Sequence, residues 1–246
     1  MLQKFALFCW AMLLVGSVNL MAKAKPKILV YSKTTGFRHG SIGVGKIALI
    51  DLGKKHGFDV DTTEDVQAFT PGNLQQYATI VFLSPTGENF NEQQKSAFIE
   101  YIHKGGGYVG IHAASDTEFT WPWYGKFVGA YFLDHPKQQV AISRVIDKHH
   151  LATAHLPSEW QRKDEWYNFK DINPNMQVLM TLDERTYTGG KNGEQHPIAW
   201  YQNFEGGRMF YTALGHTDES YSDENFLQHV LGGLQYAMGK QFPAKK

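Results

Sequence analysis

Short apolar runs closed by turn residues alternate with helix-like segments through the first half of this chain. The runs are KILVYS (residues 27–32), residues 58–62, ATIVFL (residues 78–83) and residues 108–111. Each has the length and composition of a buried strand. Helical spacing separates them over residues 42–56, and a capping-box-like start at Asn91 and Gln94 opens a second helix. Alternation of this kind implies right-handed βαβ units, so we predict an α/β fold with a mainly parallel sheet flanked by helices.

The second half follows a different pattern. Residues 139–146 and 176–182 are predicted strands, and residues 196–201 and 207–212 are predicted to form an added β-hairpin. Ser222 or Asp223 caps a last amphipathic helix. Long segments rich in Trp, Tyr and His, around residues 115–137 and 147–172, are predicted to be loops. Long loops in a compact domain are usually functional.

The N-terminus has the features of a secretory signal. Lys4 precedes an apolar run over residues 5–15, and residues 22–24 (AKA) fit a cleavage site. The run is too short to cross a bilayer, so a stable membrane span is not expected. We predict a signal peptide over residues 1–24, a single domain over residues 25–246, and an exported, periplasmic protein.

Cleavage would change both the charge and the cysteine content. The chain has 24 Lys and Arg against 24 Asp and Glu, and losing Lys4 and Lys23 gives 22 − 24 = −2. That balance offers no basic face for nucleic acid. Cys9 is the only cysteine, and a lipoprotein site there is disfavoured because no small residue precedes it. The mature chain would therefore have no disulfide, thiolate zinc site or cysteine nucleophile.

One segment partly matches a phosphate-binding loop. Residues 40–46 (GSIGVGK) fit G-x-x-x-x-G-K, but Ile47 stands where that motif needs Ser or Thr to hold magnesium. A G-x-G-x-x-G fingerprint is also absent from the first strand-to-helix turn. We therefore expect neither a nucleotide nor NAD as cofactor.

Histidines stand where the predicted strands end: His39, His112, His196 and His216. In an open α/β sheet, ligands bind at the carboxyl ends of the strands, and histidine moves protons or holds metals near neutral pH. His112, in residues 110–114 (GIHAA), takes the place of the nucleophile in a strand-to-helix elbow. That position suits acid/base chemistry or metal ligation, with Asp116 nearby as an orienting group. A buried His112 bonded to a loop carbonyl is the structural alternative.

A carboxylate pair is followed by aromatic residues at residues 164–168 (DEWYN). Carbohydrate sites combine carboxylates that transfer protons with rings that stack on sugars, and Trp121, Trp123 and Tyr124 offer further rings. The alternative is that these rings only cover a sheet edge. A divalent metal also stays open, although no H-x-H or H-E-x-x-H spacing supports it.

An ordered set of segments resembles the trehalose-utilisation (ThuA-like) family. The segments are FRHGSI (residues 37–42), GGYVGIHAA (residues 106–114), DEWY (residues 164–167), HPIAW (residues 196–200) and GRMFYTALGH (residues 207–216). The resemblance covers about residues 27–238. It implies a flavodoxin-like fold similar to class I glutamine amidotransferases, with additions. His112 then falls near the amidotransferase nucleophile cysteine, so amidotransferase chemistry is not implied. The family is associated with bacterial use of disaccharides, in pathways where an oxidoreductase makes 3-keto sugars.

From the residues and the resemblance together, we expect an enzyme that acts on a glycoside or 3-keto-glycoside by proton transfer, with a small sugar as its partner. His112 is expected to be the acid or base, Asp116 and Glu165 to assist or orient it, and His39 and His216 to polarise a carbonyl or bind substrate. The expected substrate-binding residues are Arg38, Trp121, Trp123, His135, Trp166, Tyr167 and His196. If a metal is present, its ligands are expected among His39, His112, Asp116, Glu165 and His216. A non-catalytic sugar-binding module and a metal-dependent hydrolase remain the alternatives.

Overall fold

The computed structural model describes residues 25–239. The predicted signal peptide, residues 1–24 with Cys9, lies outside the described residues. Across residues 25–239, no helix has both the length and the apolar character needed to cross a bilayer.

Eleven strands and five α-helices form between residues 25 and 239. In chain order the strands are β1 (Lys27–Tyr31), β2 (Asp59–Thr63), β3 (Thr79–Leu83), β4 (Gly107–Ile111), β5 (Tyr131–Asp134), β6 (Gln139–Val145), β7 (Glu159–Asp164), β8 (Asn168–Lys170), β9 (Gln177–Leu182), β10 (Pro197–Phe204) and β11 (Gly207–Thr212). The helices are α1 (Ile42–His56), α2 (Pro71–Leu74), α3 (Glu92–His103), α4 (Pro122–Val128) and α5 (Glu224–Ala237).

Nine of these strands make one sheet, in the order β2-β1-β3-β4-β11-β10-β9-β6-β7. The first five are parallel neighbours, and the others extend the sheet with antiparallel pairing. The predicted α/β fold, with a parallel sheet flanked by helices, is confirmed. The hairpin of β10 and β11 is also confirmed, and its second strand completes the parallel part of the sheet.

The central parallel strands are buried because helices cover both faces. Every residue of β3 and of β4 is buried, as expected for a strand covered on both sides. Helices α4 and α5 both pack against β11, and α1 contacts β2, β3 and α5. This packing fixes the carboxyl ends of β1, β4 and β11, where the sequence places histidines.

Local signals in the sequence set the ends of the helices. Helix α1 ends at Gly57, whose φ of 78° is the left-handed conformation that glycine adopts at low cost. Asn91 and Gln94 form the predicted capping box of α3. Of the two predicted caps for α5, the structure selects Asp223, whose side chain accepts hydrogen bonds from the N–H groups of Asn225 and Phe226.

The two long loops predicted around residues 115–137 and 147–172 contain regular structure, so that prediction was wrong. Helix α4 and strand β5 lie in the first, and strands β7 and β8 in the second. The pattern hid β7 because its inward positions carry Trp160, Arg162 and Asp164 rather than an apolar series. A polar residue on the buried face removes the alternation by which a strand is recognised.

Glu118, in the loop between β4 and α4, is a fully buried carboxyl group. Its Oε1 accepts hydrogen bonds from the backbone N–H groups of Asn89 (2.6 Å) and Phe90 (3.2 Å). Its Oε2 is buried with no hydrogen-bond partner among residues 25–239. Burial raises the pKa of Glu118 to about 7, against the effect of those hydrogen bonds.

This raised pKa predicts a pH dependence of stability. The folded state holds the Glu118 proton more firmly than the unfolded state, so the stabilisation is complete below pH about 4.5 and is lost as pH rises through about 7. We expect this group to lower the unfolding free energy by on the order of 3 kcal/mol between those limits. Glu118→Gln should lack that contribution. Urea unfolding at pH 5 and pH 8 measures it, with the exposed Glu100→Gln as control. Equal pH dependence in the two variants would contradict the assignment.

Candidate functional site

Four side chains meet at the carboxyl end of the parallel sheet: His39, His112, His216 and Glu165. His39 lies in the loop after β1, His112 directly after β4, His216 in the loop after β11 and Glu165 directly after β7. One nitrogen or oxygen atom of each lies within 4.8 Å of the others. His39, His112 and Glu165 are buried, and His216 is partly exposed. We call these four residues the histidine–glutamate cluster.

Glu165 connects two of the histidines. Its Oε2 lies 2.9 Å from Nδ1 of His216 and 3.3 Å from Nε2 of His112. Nε2 of His112 and Nδ1 of His216 are 3.0 Å apart. The ring of His39 stands edge-on to both, with centroid distances of 4.7 Å to His112 and 5.2 Å to His216. Residues from four distant segments of the sequence therefore place polar side-chain atoms in one small volume.

The backbone at His112 adopts a conformation that few side chains tolerate. Its φ is 52°, in the left-handed region, which costs energy for any residue other than glycine. The hydroxyl of Tyr211 donates a hydrogen bond to the carbonyl oxygen of His112 at 2.7 Å. Nδ1 of His112 lies 2.8 Å from the carbonyl oxygen of Ala213. Because a carbonyl oxygen only accepts, Nδ1 carries a proton, so Nε2 is the nitrogen that presents a lone pair to the cluster in the neutral tautomer.

The charges within the cluster shift the pKa values of two of its members. Burial, together with the neighbouring His112 and His216, lowers the pKa of His39 to about 3. Burial alone would raise the pKa of Glu165, but the polar contacts with the rings of His112 and His216 outweigh it and hold that pKa well below its usual range. Glu165 is therefore a carboxylate at neutral pH, and His39 is a neutral ring.

Asp164 holds the loop of His216 against the end of β7. Its carboxylate accepts hydrogen bonds from the backbone N–H groups of Gly215 and His216, both at 3.2 Å. It also pairs with Arg162 at 3.1 Å, and both side chains are buried. Although β7 lies at the far edge of the sheet, the antiparallel extension folds back far enough for these contacts. They place Glu165, the next residue, opposite His112.

Tyr167 and His196 form the layer beneath the cluster. The ring of Tyr167 lies 4.3 Å from that of His112, and its hydroxyl lies 3.5 Å from Nε2 of His39. Nε2 of His196 donates to the carbonyl oxygen of Tyr167 at 2.7 Å, and the His196 side chain is fully buried. His196 therefore supports Tyr167 from behind and does not face the cluster.

Asp116 and His135 lie on the more open side. Nδ1 of His135 is 3.2 Å from Oε1 of Glu165, and its side chain is 41% exposed. Asp116 is half-buried at the end of the short turn His112–Ser115. Burial raises the pKa of Asp116 to about 6, and the charge of Glu165 adds to the rise. Two carboxyl groups in electrostatic contact thus have pKa values displaced in opposite directions, which is common in acid–base sites.

Besides His196, four of the residues expected to bind substrate do not reach the cluster. Arg38 is exposed and forms two hydrogen bonds with Glu64. Trp121 packs among core aromatic rings. Trp123 stacks on Phe127 and donates to Glu205, in the β10–β11 turn at the other end of the sheet. Trp166 is buried and donates to the carbonyl oxygen of Gln139.

Three supporting residues had no predicted site role: Asp164, Arg162 and Tyr211. Asp164 had a signal, because it belongs to the carboxylate pair beside Glu165. Tyr211 carries no local signal, since it acts on His112, which is distant in sequence, and Arg162 carries none because its burial depends on packing against other parts of the chain. A cavity of about 480 Å³ opens beside the cluster on the side of His216, lined also by Gly40, Ser41, Gln138 and Lys163. This volume lies within the range of small-molecule sites.

Comparison with known proteins gives one family. The sequence profile of the ThuA family, described as trehalose utilisation, matches residues 27–237. No functionally curated protein matches the chain.

Solved structures with the same fold include two described as ThuA-like. One, from Bacteroides uniformis ATCC 8492, is 26% identical, with a TM-score of 0.74 over 90% of this chain and 95% of that one. The other, from Parabacteroides merdae ATCC 43184, is 22% identical, with a TM-score of 0.74 over 91% and 93%. A cytoplasmic protein from Salmonella typhimurium LT2 is 15% identical, with a TM-score of 0.63 over 86% and 99%. The last two likenesses concern the fold alone.

Proposed function

Because the chain belongs to the ThuA family of trehalose utilisation, we propose that it is an enzyme that cleaves a glycoside or 3-keto-glycoside by proton transfer beside the histidine–glutamate cluster. The family gives the chain a carbohydrate-related role. The observation that carries the catalytic part is the convergence of Glu165, His112 and His216 in a buried volume, with the half-buried Asp116 at its margin.

A 3-keto sugar explains why acid–base groups would suffice. The carbonyl at C3 acidifies the proton on C2, so a base can remove it and leave an enolate. The enolate then expels the substituent at C1: the C1–O bond breaks, and the leaving oxygen takes a proton from an acid. Water adds its oxygen to C1 of the resulting enone and a proton to C2. The net change is hydrolysis of the glycosidic bond.

The contacts of the side chains favour Asp116 as the base. His112, which the sequence favours for that role, is fully buried, and its Nδ1 is committed to the carbonyl oxygen of Ala213. Asp116 is half-buried, and burial places its pKa at about 6. A base whose pKa lies near the working pH transfers protons efficiently. His135, on the same open side, is the group we assign to the leaving oxygen.

A non-catalytic sugar-binding module fits the aromatic residues less well. Such a module needs ring faces that a sugar can reach. Trp121 and Trp166 are instead buried, with relative exposures of 6% and 1%, and both belong to the core. Their packing removes the main sequence feature that favoured the module.

The proposal is tested by incubating purified protein with 3-keto-trehalose and 3-keto-glucosides, with and without added divalent metals. We expect release of the free sugars. In D₂O we also expect deuterium at C2, because the base exchanges that proton. Unmodified trehalose serves as the matched substrate, since it lacks the carbonyl and its C2 proton should not exchange. Neither release nor exchange with any 3-keto-glycoside would overturn the proposal.

A further inference from the structure

We propose that His39, His112, His216 and Glu165 form a binding site for one divalent transition-metal ion. Two of these residues direct unshared lone pairs at each other. In the neutral tautomer of His112, Nδ1 donates to Ala213, so Nε2 presents a lone pair and faces a carboxylate oxygen of Glu165 at 3.3 Å. Nδ1 of His216 can donate a hydrogen bond to either of these two atoms. Nε2 of His112 and the Glu165 oxygen would still face each other as two acceptors with no proton between them. A cation among them satisfies all three atoms.

His39 supplies the fourth ligand. Its side chain is buried, and its Nδ1 has no hydrogen-bond partner among residues 25–239. Buried polar atoms normally have a hydrogen-bond partner. This nitrogen has none among the described residues and is therefore available as a metal ligand. The unused nitrogen belongs to the same ring that stands edge-on to His112 and His216.

The spacing of the ligand atoms fits a metal of this size. Ligands bound about 2.0–2.1 Å from a tetrahedral zinc ion lie roughly 3.3 Å from one another. The observed separations are 2.9 Å, 3.0 Å and 3.3 Å within the triangle of Glu165, His112 and His216. All four ligand atoms lie within 4.8 Å of each other. A small relaxation around an ion, outward for these three atoms and inward for His39, would bring the four to coordinating distance.

The surrounding contacts hold the ligands as a metal site requires. Metal-binding histidines usually donate their second ring nitrogen to a carbonyl or carboxylate, and His112 does so with Ala213. Tyr211 fixes the backbone of His112, and Asp164 fixes that of His216. The ligands therefore come from a rigid frame.

The ligand types select the class of ion. Three imidazoles and one carboxylate suit zinc, cobalt, nickel or manganese, whereas calcium and magnesium prefer oxygen ligands alone. In a role that rests on the proposed function, such an ion would bind the C3 carbonyl oxygen of a keto sugar and so make the C2 proton more acidic. Asp116, which is not among the four ligands, would remain free to remove that proton.

The site can be tested without any substrate. Untagged protein, treated with EDTA and dialysed, is titrated with ZnCl₂, CoCl₂ and MnCl₂ by calorimetry and in thermal melts. We expect one equivalent of at least one ion to bind per chain. At about 100 times the Kd, the melting temperature should rise by roughly 5–10 °C. Bound Co²⁺ should also show the visible absorption of a low-symmetry nitrogen and oxygen site.

Variants of the ligands separate this site from other surface histidines. His216→Ala and Glu165→Gln should each weaken binding by roughly 100-fold or more, because loss of supporting contacts alone costs 10- to 100-fold. His103→Ala, at an exposed histidine paired with Glu205, should leave the affinity unchanged. Circular dichroism shows whether the variants fold, and the Co²⁺ spectrum of the unaltered protein gives an independent answer if they do not.

Two results would overturn the inference: no stoichiometric binding of any of the three ions by the unaltered protein, or binding that survives in folded His216→Ala and Glu165→Gln. The proposed function fails separately. Metal binding without turnover of a 3-keto-glycoside would contradict the proposed function and support the metal site. Turnover without metal binding would support the proposed function and contradict the metal site.

Discussion

Asp116→Asn should lower the turnover of a 3-keto-glycoside by roughly 10²- to 10⁴-fold, the usual contribution of a general base. Asparagine keeps the shape of the side chain but cannot accept the C2 proton. Because Asp116 is half-buried and its side chain is not used in the folded core, we expect the melting temperature to change little. Deuterium exchange at C2 should fall in parallel with turnover, since both depend on the same proton transfer.

The pH profile gives a second measure of the role of Asp116. Burial and the charge of Glu165 raise its pKa to about 6, while His135 and Lys170 oppose the rise. The base acts only when ionised, so kcat/KM should increase with pH through about 6. Asp116→Asn should lose this acidic limb. Glu205→Gln, at the opposite end of the sheet, is the matched carboxyl control and should keep both rate and profile. An unchanged acidic limb in Asp116→Asn would remove Asp116 from the mechanism.

Asp164→Ala should destabilise the fold by about 3–5 kcal/mol, because it removes the nearer of the two carboxylates that pair with the buried Arg162 and leaves only that of Asp223 at 3.6 Å. The side chains of Asp164 and Arg162 are 0% and 7% exposed. The substitution also removes the acceptor for the N–H groups of Glu165, Gly215 and His216. We expect the melting temperature to fall by on the order of 10 °C. Thermal and urea unfolding measure the change.

A double variant tests whether the buried charge is the cause. Arg162 packs against the rings of Trp160 and Phe226, and methionine can keep most of that packing. Adding Arg162→Met to Asp164→Ala should therefore recover part of the lost stability, since it removes the buried charge that has lost its nearer partner. Asp51→Ala, which breaks an exposed pair with Lys54, should cost less than about 1 kcal/mol. An equally small cost for Asp164→Ala would contradict the assigned role of this ion pair.

Local sequence patterns predicted the parallel half of the fold because no buried charged residue interrupts them in strands β1, β3 and β4. The strand runs at β1, β3 and β4 are buried on both faces, so their apolar runs are uninterrupted. Gly57, the Asn91 capping box and Asp223 set the helix ends through contacts within a few residues. Strand β7 lacked such a signal, because its buried face carries the ion pair of Arg162 and Asp164 in place of apolar residues, and the further partner of Arg162, Asp223, lies far along the chain.

The candidate site was likewise predicted only in part from the sequence. The sequence alone determined that His39, His112 and His216 lie at the same end of the sheet, because parallel strands have their carboxyl ends on the same side. The sequence also predicted Glu165 as a site residue, but only the tertiary structure decided how it reaches the histidines, since Asp164 at the end of β7 binds the backbone of Gly215 and His216. It also decided that Trp121 and Trp166 are core residues. Burial of a ring depends on which distant surfaces pack against it, and no local spacing in the sequence encodes that.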